Sequence, residues 1–235
     1  MTTSVRTLKV LSAGAVKGGV AKLAAEFGKA TGTTVTVDFA PAPDLRDRIA
    51  AGEAADVVIL PQGMMDGLAQ QGRIAADTRA LLGRSRMGVV VHARAATPDL
   101  KDTAAFKKLV QNATGVIYNK ASSGLYAAKL LDQLGLAHAV GSKIAVVESG
   151  AAIMETVAAR PPGAVGLAQI SEIMVLIDKG CAVKLAAPLP DEIQNITSYD
   201  AAAMSASGTP DAARALARQL TSDVAKKVFA ATGIS

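Results

Sequence analysis

The chain has no tryptophan, only four phenylalanines and three tyrosines, two histidines and a single cysteine in 235 residues. One thiol cannot form an internal disulfide, and Cys181, which follows Lys179 and Gly180, reads as a small packing residue. The histidines stand far apart, at 92 and 138, with no acid or nucleophile motif beside either, so no metal cluster and no hydrolytic triad are expected. Walker-type loops with Gly-Lys-Ser or Gly-Lys-Thr are missing, as is a Gly-x-Ser-x-Gly elbow, and no cofactor is expected. Aromatic residues make up 3% of the chain and the formal charge of +5 is scattered, which argues against a nucleic-acid partner. The longest apolar runs, 57–60 and 87–91, have strand length, so no membrane insertion is expected. A basic stretch followed by an apolar run is also missing near Met1. The expectation is a cytoplasmic protein as written, or a periplasmic one if a leader was removed.

Half of the sequence is hydrophobic, mostly Ala, Val and Leu, which suits closely packed helices on a sheet. Strand-like runs at 8–11, 33–39, 56–60 and 87–92 alternate with helix-like runs at 16–31, 43–51 and 64–71, and Gly32 and Gly52 stop two of these helices. The second half continues with helices at 99–111, 123–134 and 151–159 and strands at 115–118, 143–147, 164–168 and 183–185. Two helical stretches, 210–221 and 222–231, close the chain. This order predicts an α/β fold with mostly parallel sheets covered by helices on both faces.

Four short loops follow a strand and open a helix: Ser12-Ala13-Gly14-Ala15-Val16, Phe39-Ala40-Pro41-Ala42-Pro43-Asp44, Asn119-Lys120-Ala121-Ser122-Ser123-Gly124 and Glu148-Ser149-Gly150-Ala151. Free N–H groups at a helix start, with the positive end of the macrodipole, favour an anion. A small anionic ligand is the expected partner.

Three segments carry a family resemblance. They are Leu8-Lys9-Val10-Leu11-Ser12-Ala13-Gly14-Ala15, the run from Arg48 through Ala51-Gly52-Glu53-Ala54-Ala55-Asp56 to Ile59, and Ser123-Gly124-Leu125-Tyr126-Ala127; the stretch 226–234 fits as well. In this order they resemble the molybdate-binding proteins of ABC importers. The resemblance implies a two-lobed type II periplasmic-binding-protein fold with lobes at 1–83 plus 195–235 and at 84–194. Two crossover strands near 86–92 and 193–203 would join them, and the ligand would lie in a cleft that shuts by hinge closure. It also implies an ABC permease as partner if the protein is secreted, and a monomer.

Carried over residue by residue, the ligand-binding set is Gly14, Ala15, Lys17, Pro41, Ala42, Ser122, Ser123, Tyr126, Ser149, Gly150 and Gln169. The oxyanion binders use hydroxyls and N–H groups of the first two loops, where this chain has Ala15 and Pro41-Ala42-Pro43, and Gln169 stands where the family has a tyrosine. Apolar wall with a few strong donors suits a small organic carboxylate better than a tetrahedral oxyanion. Two alternatives stay open. One is an isomerase of a small unsaturated carboxylic acid, resembling aconitate isomerase, with Lys17 or Glu148 as proton carriers and Tyr126 or His92 as further candidates. The other is a molybdate or tungstate receptor of an ABC importer. Plain structural roles also compete: Ser122 and Ser123 as helix caps, Lys17 and Arg46 as solvent-facing charges, Gln169 as a bridge.

Overall fold

The computed structural model describes residues 7–235. They divide into two compact units: one runs up to Arg84 and resumes at Thr197–Ser235, and the other is Ser85–Ile196. In chain order the elements are β1 (Thr7–Ala13), α1 (Lys17–Thr31), β2 (Thr34–Ala40), α2 (Ala42–Ala50), β3 (Val57–Pro61), α3 (Gln62–Gln70) and β4 (Ala80–His92). There follow α4 (Thr103–Asn112), β5 (Gly115–Asn119), α5 (Ser122–Gln133), the single turn α6 (Ala137–Val140), β6 (Ile144–Val147), α7 (Gly150–Ala158), β7 (Ala164–Gln169), α8 (Ile170–Asp178) and β8 (Val183–Pro188). The last are β9 (Ile196–Ala203), α9 (Pro210–Leu220) and α10 (Asp223–Ala230).

In the first unit β1 lies between β2 and β3 and runs parallel to both, and β9 pairs antiparallel with β3. The β1 and β3 side chains are buried on both faces, as helices on either side of a parallel sheet require. Helix α1 ends where Gly32 takes a left-handed φ of 67°. Close approach also fixes Gly19, because a Cβ there would meet the Phe229 ring of α10 at 2.2 Å. The segment 48–59 that carried the resemblance is a structural knot. Glu53 takes Arg48 Nε at 2.6 Å and Lys9 Nζ at 2.7 Å, and the Arg48 guanidinium, with Lys9, lowers its carboxyl to about 2. Asp56 accepts the Lys9 N–H at 2.8 Å and the Ser207 hydroxyl at 2.6 Å, tying β1 to the returning chain. Arg84 and Ser235 exchange two backbone hydrogen bonds, of 2.6 and 2.9 Å.

In the second unit β5 lies between β6 and β7, parallel to both, while β4 runs antiparallel to β7 and β8. Alternation along the strands feeds two cores. Val89, Val91, Val116, Tyr118, Val165 and Leu167 face one of them, and Val90, Ile117, Ala164 and Ala168 face the other. Gly166 lets α7 close onto the sheet, since a Cβ there would stand 2.6 Å from the Ile153 side chain.

Besides the single turn α6, which the sequence reading does not contain, the structure departs from that reading most in three elements. Helix α4 starts at Thr103 rather than 99, because Asp102 caps it by accepting the Ala105 N–H at 2.7 Å. Strand β4 starts at Ala80, well ahead of residue 87. Helix α8 falls where no element was expected. Its sequence, ISEIMVLID, is apolar on nearly every side and shows little of the polar face by which a surface helix is recognised.

Candidate functional site

In the first unit β1 and β2 are in parallel register, with Ser12 opposite Phe39 and Ala13 opposite Ala40, so their outgoing loops emerge side by side. Gly14 and Ala15 form a 3-10 turn ahead of α1, and Ala15 is buried. Lys17 follows as the first residue of α1, with its Nζ 5.3 Å from the centre of the Phe39 ring, a cation–π contact. Pro41 is the N-cap of α2, where its carbonyl accepts the Leu45 N–H at 3.1 Å, and Ala42 is buried as the first helical residue. Neither helix start carries a side-chain cap. Arg46 is exposed and paired with Asp47.

In the second unit three parallel strands end together, with Asn119 opposite Val147 and the Lys120 N–H donating to the Val147 carbonyl at 3.1 Å. Ser122 and Ser123 are the first two residues of α5, whose N-cap is Ala121, so neither is the cap. Ser123 Oγ donates to Asn119 Oδ1 at 3.4 Å, and the same oxygen accepts the Ala121 N–H at 3.1 Å. Asn119 Nδ2 is enclosed and has no partner. Gly124 is obligatory, because a Cβ would fall 1.6 Å from the Asn119 carbonyl oxygen. Ser149 caps α7 by accepting the Ala152 N–H at 3.3 Å, and Gly150 is the first residue of that helix. Gln169 is buried, ends β7 and caps α8.

The remaining candidates each have a partner within the protein. The Tyr126 hydroxyl donates to the Ile193 carbonyl at 3.0 Å, and burial raises its pKa. Glu148 is exposed and paired with Lys120. His92 is buried on β4, and its Nδ1 accepts the Arg94 N–H at 3.1 Å. Among the described residues no group of three or more His, Cys, Asp or Glu is placed to hold a metal ion, and no helix is long and apolar enough to cross a membrane.

Sequence reasoning missed Glu172, the third residue of α8. Its carboxyl lies against the start of α7: a Cβ on Gly150 would meet Glu172 Cδ at 2.2 Å and both carboxyl oxygens at 2.3 Å. Oε2 is enclosed and has no hydrogen-bond partner. Burial pushes this carboxyl up to about 7, and the Gln169 backbone N–H works in the opposite direction. An N-cap N–H reaching a Glu in the third helical position is half of a capping box, and that spacing was the available signal.

The sequence profile of the bacterial extracellular solute-binding protein family matches residues 8–235. An aconitate isomerase from a Pseudomonas species is 33% identical over 240 residues, spanning 98% of this chain and 88% of that protein. Among solved structures, the periplasmic molybdate-binding protein of Azotobacter vinelandii superimposes with a TM-score of 0.79 at 20% identity, over 97% of this chain and 98% of that one. The sulfate-binding protein SubI of Mycobacterium tuberculosis does so with a TM-score of 0.75 at 16% identity, over 97% and 86% of the two chains. At these identities the structural likeness establishes the fold, which is that of the type II periplasmic binding proteins. The profile match along nearly the whole length goes further: the chain belongs to the bacterial extracellular solute-binding protein family.

Proposed function

We propose that the protein binds a small unsaturated polycarboxylate of the aconitate type and moves its double bond, acting as an isomerase. The observation that carries this reading is the 33% identity to an aconitate isomerase over 98% of the chain. The loops support a carboxylate. Ala15 and Pro41-Ala42 give the first unit no hydroxyl with which to surround a tetrahedral oxyanion. In the second unit the starts of α5, α7 and α8 offer backbone N–H groups, with Asn119 and Ser123 at the first and Gln169 at the last. Separate carboxylates on a carbon skeleton match such separate donor clusters. Isomerisation then needs one group to take a proton from carbon and return it elsewhere.

A second reading, a receptor that binds the same acids without changing them, is favoured by the family itself. Titration calorimetry with cis-aconitate, trans-aconitate, citrate, molybdate and sulfate, alongside proton NMR of each acid with the protein, tests both. The isomerase reading expects a tricarboxylate to bind at least about tenfold tighter than molybdate, a difference of about 1.4 kcal/mol, and aconitate to interconvert. Saturable binding with an unchanged spectrum leaves the receptor; molybdate as the tightest ligand overturns both. Gln169→Ala is expected to weaken tricarboxylate binding by about 1–3 kcal/mol, the range for a buried partner left unpaired.

A further inference from the structure

We infer that Glu172 is the group that carries the proton in the isomerisation, and that Asn119 Nδ2 donates to a substrate carboxylate beside it; this rests on the isomerase reading above. Both atoms are enclosed polar groups without partners, Asn119 Nδ2 at the end of β5 and Glu172 Oε2 at the start of α8. Buried polar groups are almost always satisfied, so two orphans at one end of one sheet call for a ligand. Their surroundings already belong to the candidate site. Asn119 Oδ1 holds the turn into α5 through the Ala121 N–H and the Ser123 hydroxyl, which leaves the amide nitrogen of the same group for another acceptor. The Glu172 carboxyl sits against Gly150, where the missing Cβ makes the room it occupies. Gln169, whose N–H acts on this carboxyl, caps the helix that carries it.

The chemistry is internally balanced. Ionised Glu172 takes a proton from the methylene carbon next to a substrate carboxylate, and the electron pair left behind spreads over the allylic system and its carboxylates. The protonated Glu172 then returns the proton to the far allylic carbon, the double bond moves by one position, and the enzyme ends in its starting state. No oxidant or co-reactant is consumed. A carboxyl raised by burial to about 7 is well matched to taking and returning a proton near neutrality. Of the elements packed against α8, α7 carries Glu155, β8 carries Lys184 and β4 carries Arg86 and His92; none of these contributes to the shift, nor does Asp178 on α8 itself, and β7 carries no charge.

The test compares wild type with Glu172→Gln, whose amide oxygen can still accept the N-cap N–H. Measured are the Kd for trans-aconitate by calorimetry, the rate of interconversion and of deuterium entry by NMR, and the pH profile of kcat. The inference expects Glu172→Gln to stay folded, to keep Kd within about threefold and to lose at least about 100-fold in kcat, the size of a proton-transfer contribution. Glu172→Asp, with its carboxyl withdrawn by one methylene, is expected to keep partial activity and a rising pH limb that has moved; a purely structural role would leave that limb in place. Asn119→Ala is expected to raise Kd about tenfold or more. If Glu172→Gln retains more than about a tenth of kcat while wild type turns over, Glu172 is not the carrier, although the isomerase reading survives. If wild type binds aconitate and neither interconverts nor exchanges it, the isomerase reading fails and takes this inference with it. Should Glu172→Gln not fold, the Glu172→Asp profile decides: an unmoved limb overturns the assignment and a moved one supports it.

Discussion

In the first unit the helix starts after β1 and β2 are lined by Ala13, Ala15, Pro41 and Ala42, and no side chain caps either of them. In the second unit the starts after β5, β6 and β7 carry Asn119, Ser123, Ser149, Gln169 and Glu172, with Ser149 in the capping role and two polar atoms left enclosed and unpartnered. The same strand-to-helix geometry has been filled with opposite chemistry. Backbone N–H groups in an apolar frame favour negative charge but discriminate little between anions. Side-chain amides and carboxyls, with one functional atom free, discriminate by direction and by proton. The helix starts of the first unit are therefore apolar in frame, and those of the second are polar.

Three changes bear on this contrast, from the largest expected effect to the smallest. Gly124→Ala forces a Cβ to within 1.6 Å of the Asn119 carbonyl oxygen, so the start of α5 must move. Overpacking against backbone is expected to cost at least about 3 kcal/mol in urea unfolding, and an unchanged midpoint would show that the polar loop is not rigid. The second change uses pH. The folded-state pKa of Glu172, about 7, lies above its ordinary value of 4.5, so its contribution to stability is fully present below about 4.5 and is lost as pH rises through about 7. Glu172→Gln cannot ionise, and its stability relative to wild type is expected to climb between pH 5 and pH 9 by up to about 3 kcal/mol. Parallel unfolding curves across that window would place the carboxyl in water. The third change gives the apolar loop what it lacks: Ala15→Ser is expected to tighten molybdate binding by about 1 kcal/mol, with Tm nearly unchanged. No gain in calorimetry would mean that the first-unit loops do not set oxyanion selectivity.

The alternation of β-branched runs with Ala- and Leu-rich ones made the α/β class legible, and Gly32 and Gly52 marked helix ends where the structure has left-handed glycines. The Ala-Gly-Glu-Ala-Ala-Asp segment marked the family because Glu53 and Asp56 hold β1, α2 and the returning chain in one network. The apolar helix α8 was not legible, and Glu172 went unseen with it. Asn119 stood in a quoted loop, but its unpaired nitrogen depends on where the Ala121 N–H and Ser123 hydroxyl fall, which spacing alone does not tell. Glu148, Tyr126 and His92 read as proton carriers by residue type; the structure gives each a partner, in Lys120, the Ile193 carbonyl and the Arg94 N–H.

The two backbone hydrogen bonds between Arg84 and Ser235 also bear on synthesis. Ser85–Ile196 is one uninterrupted stretch, whereas the other unit lacks β9 against β3, and α9 and α10 over α1, until Thr197–Ser235 has been made. A ribosome therefore releases the second unit whole while the first still shows an open strand edge and an uncovered helix face, the features that holdase chaperones and aggregation both seek. The unit translated first is the one that folds last.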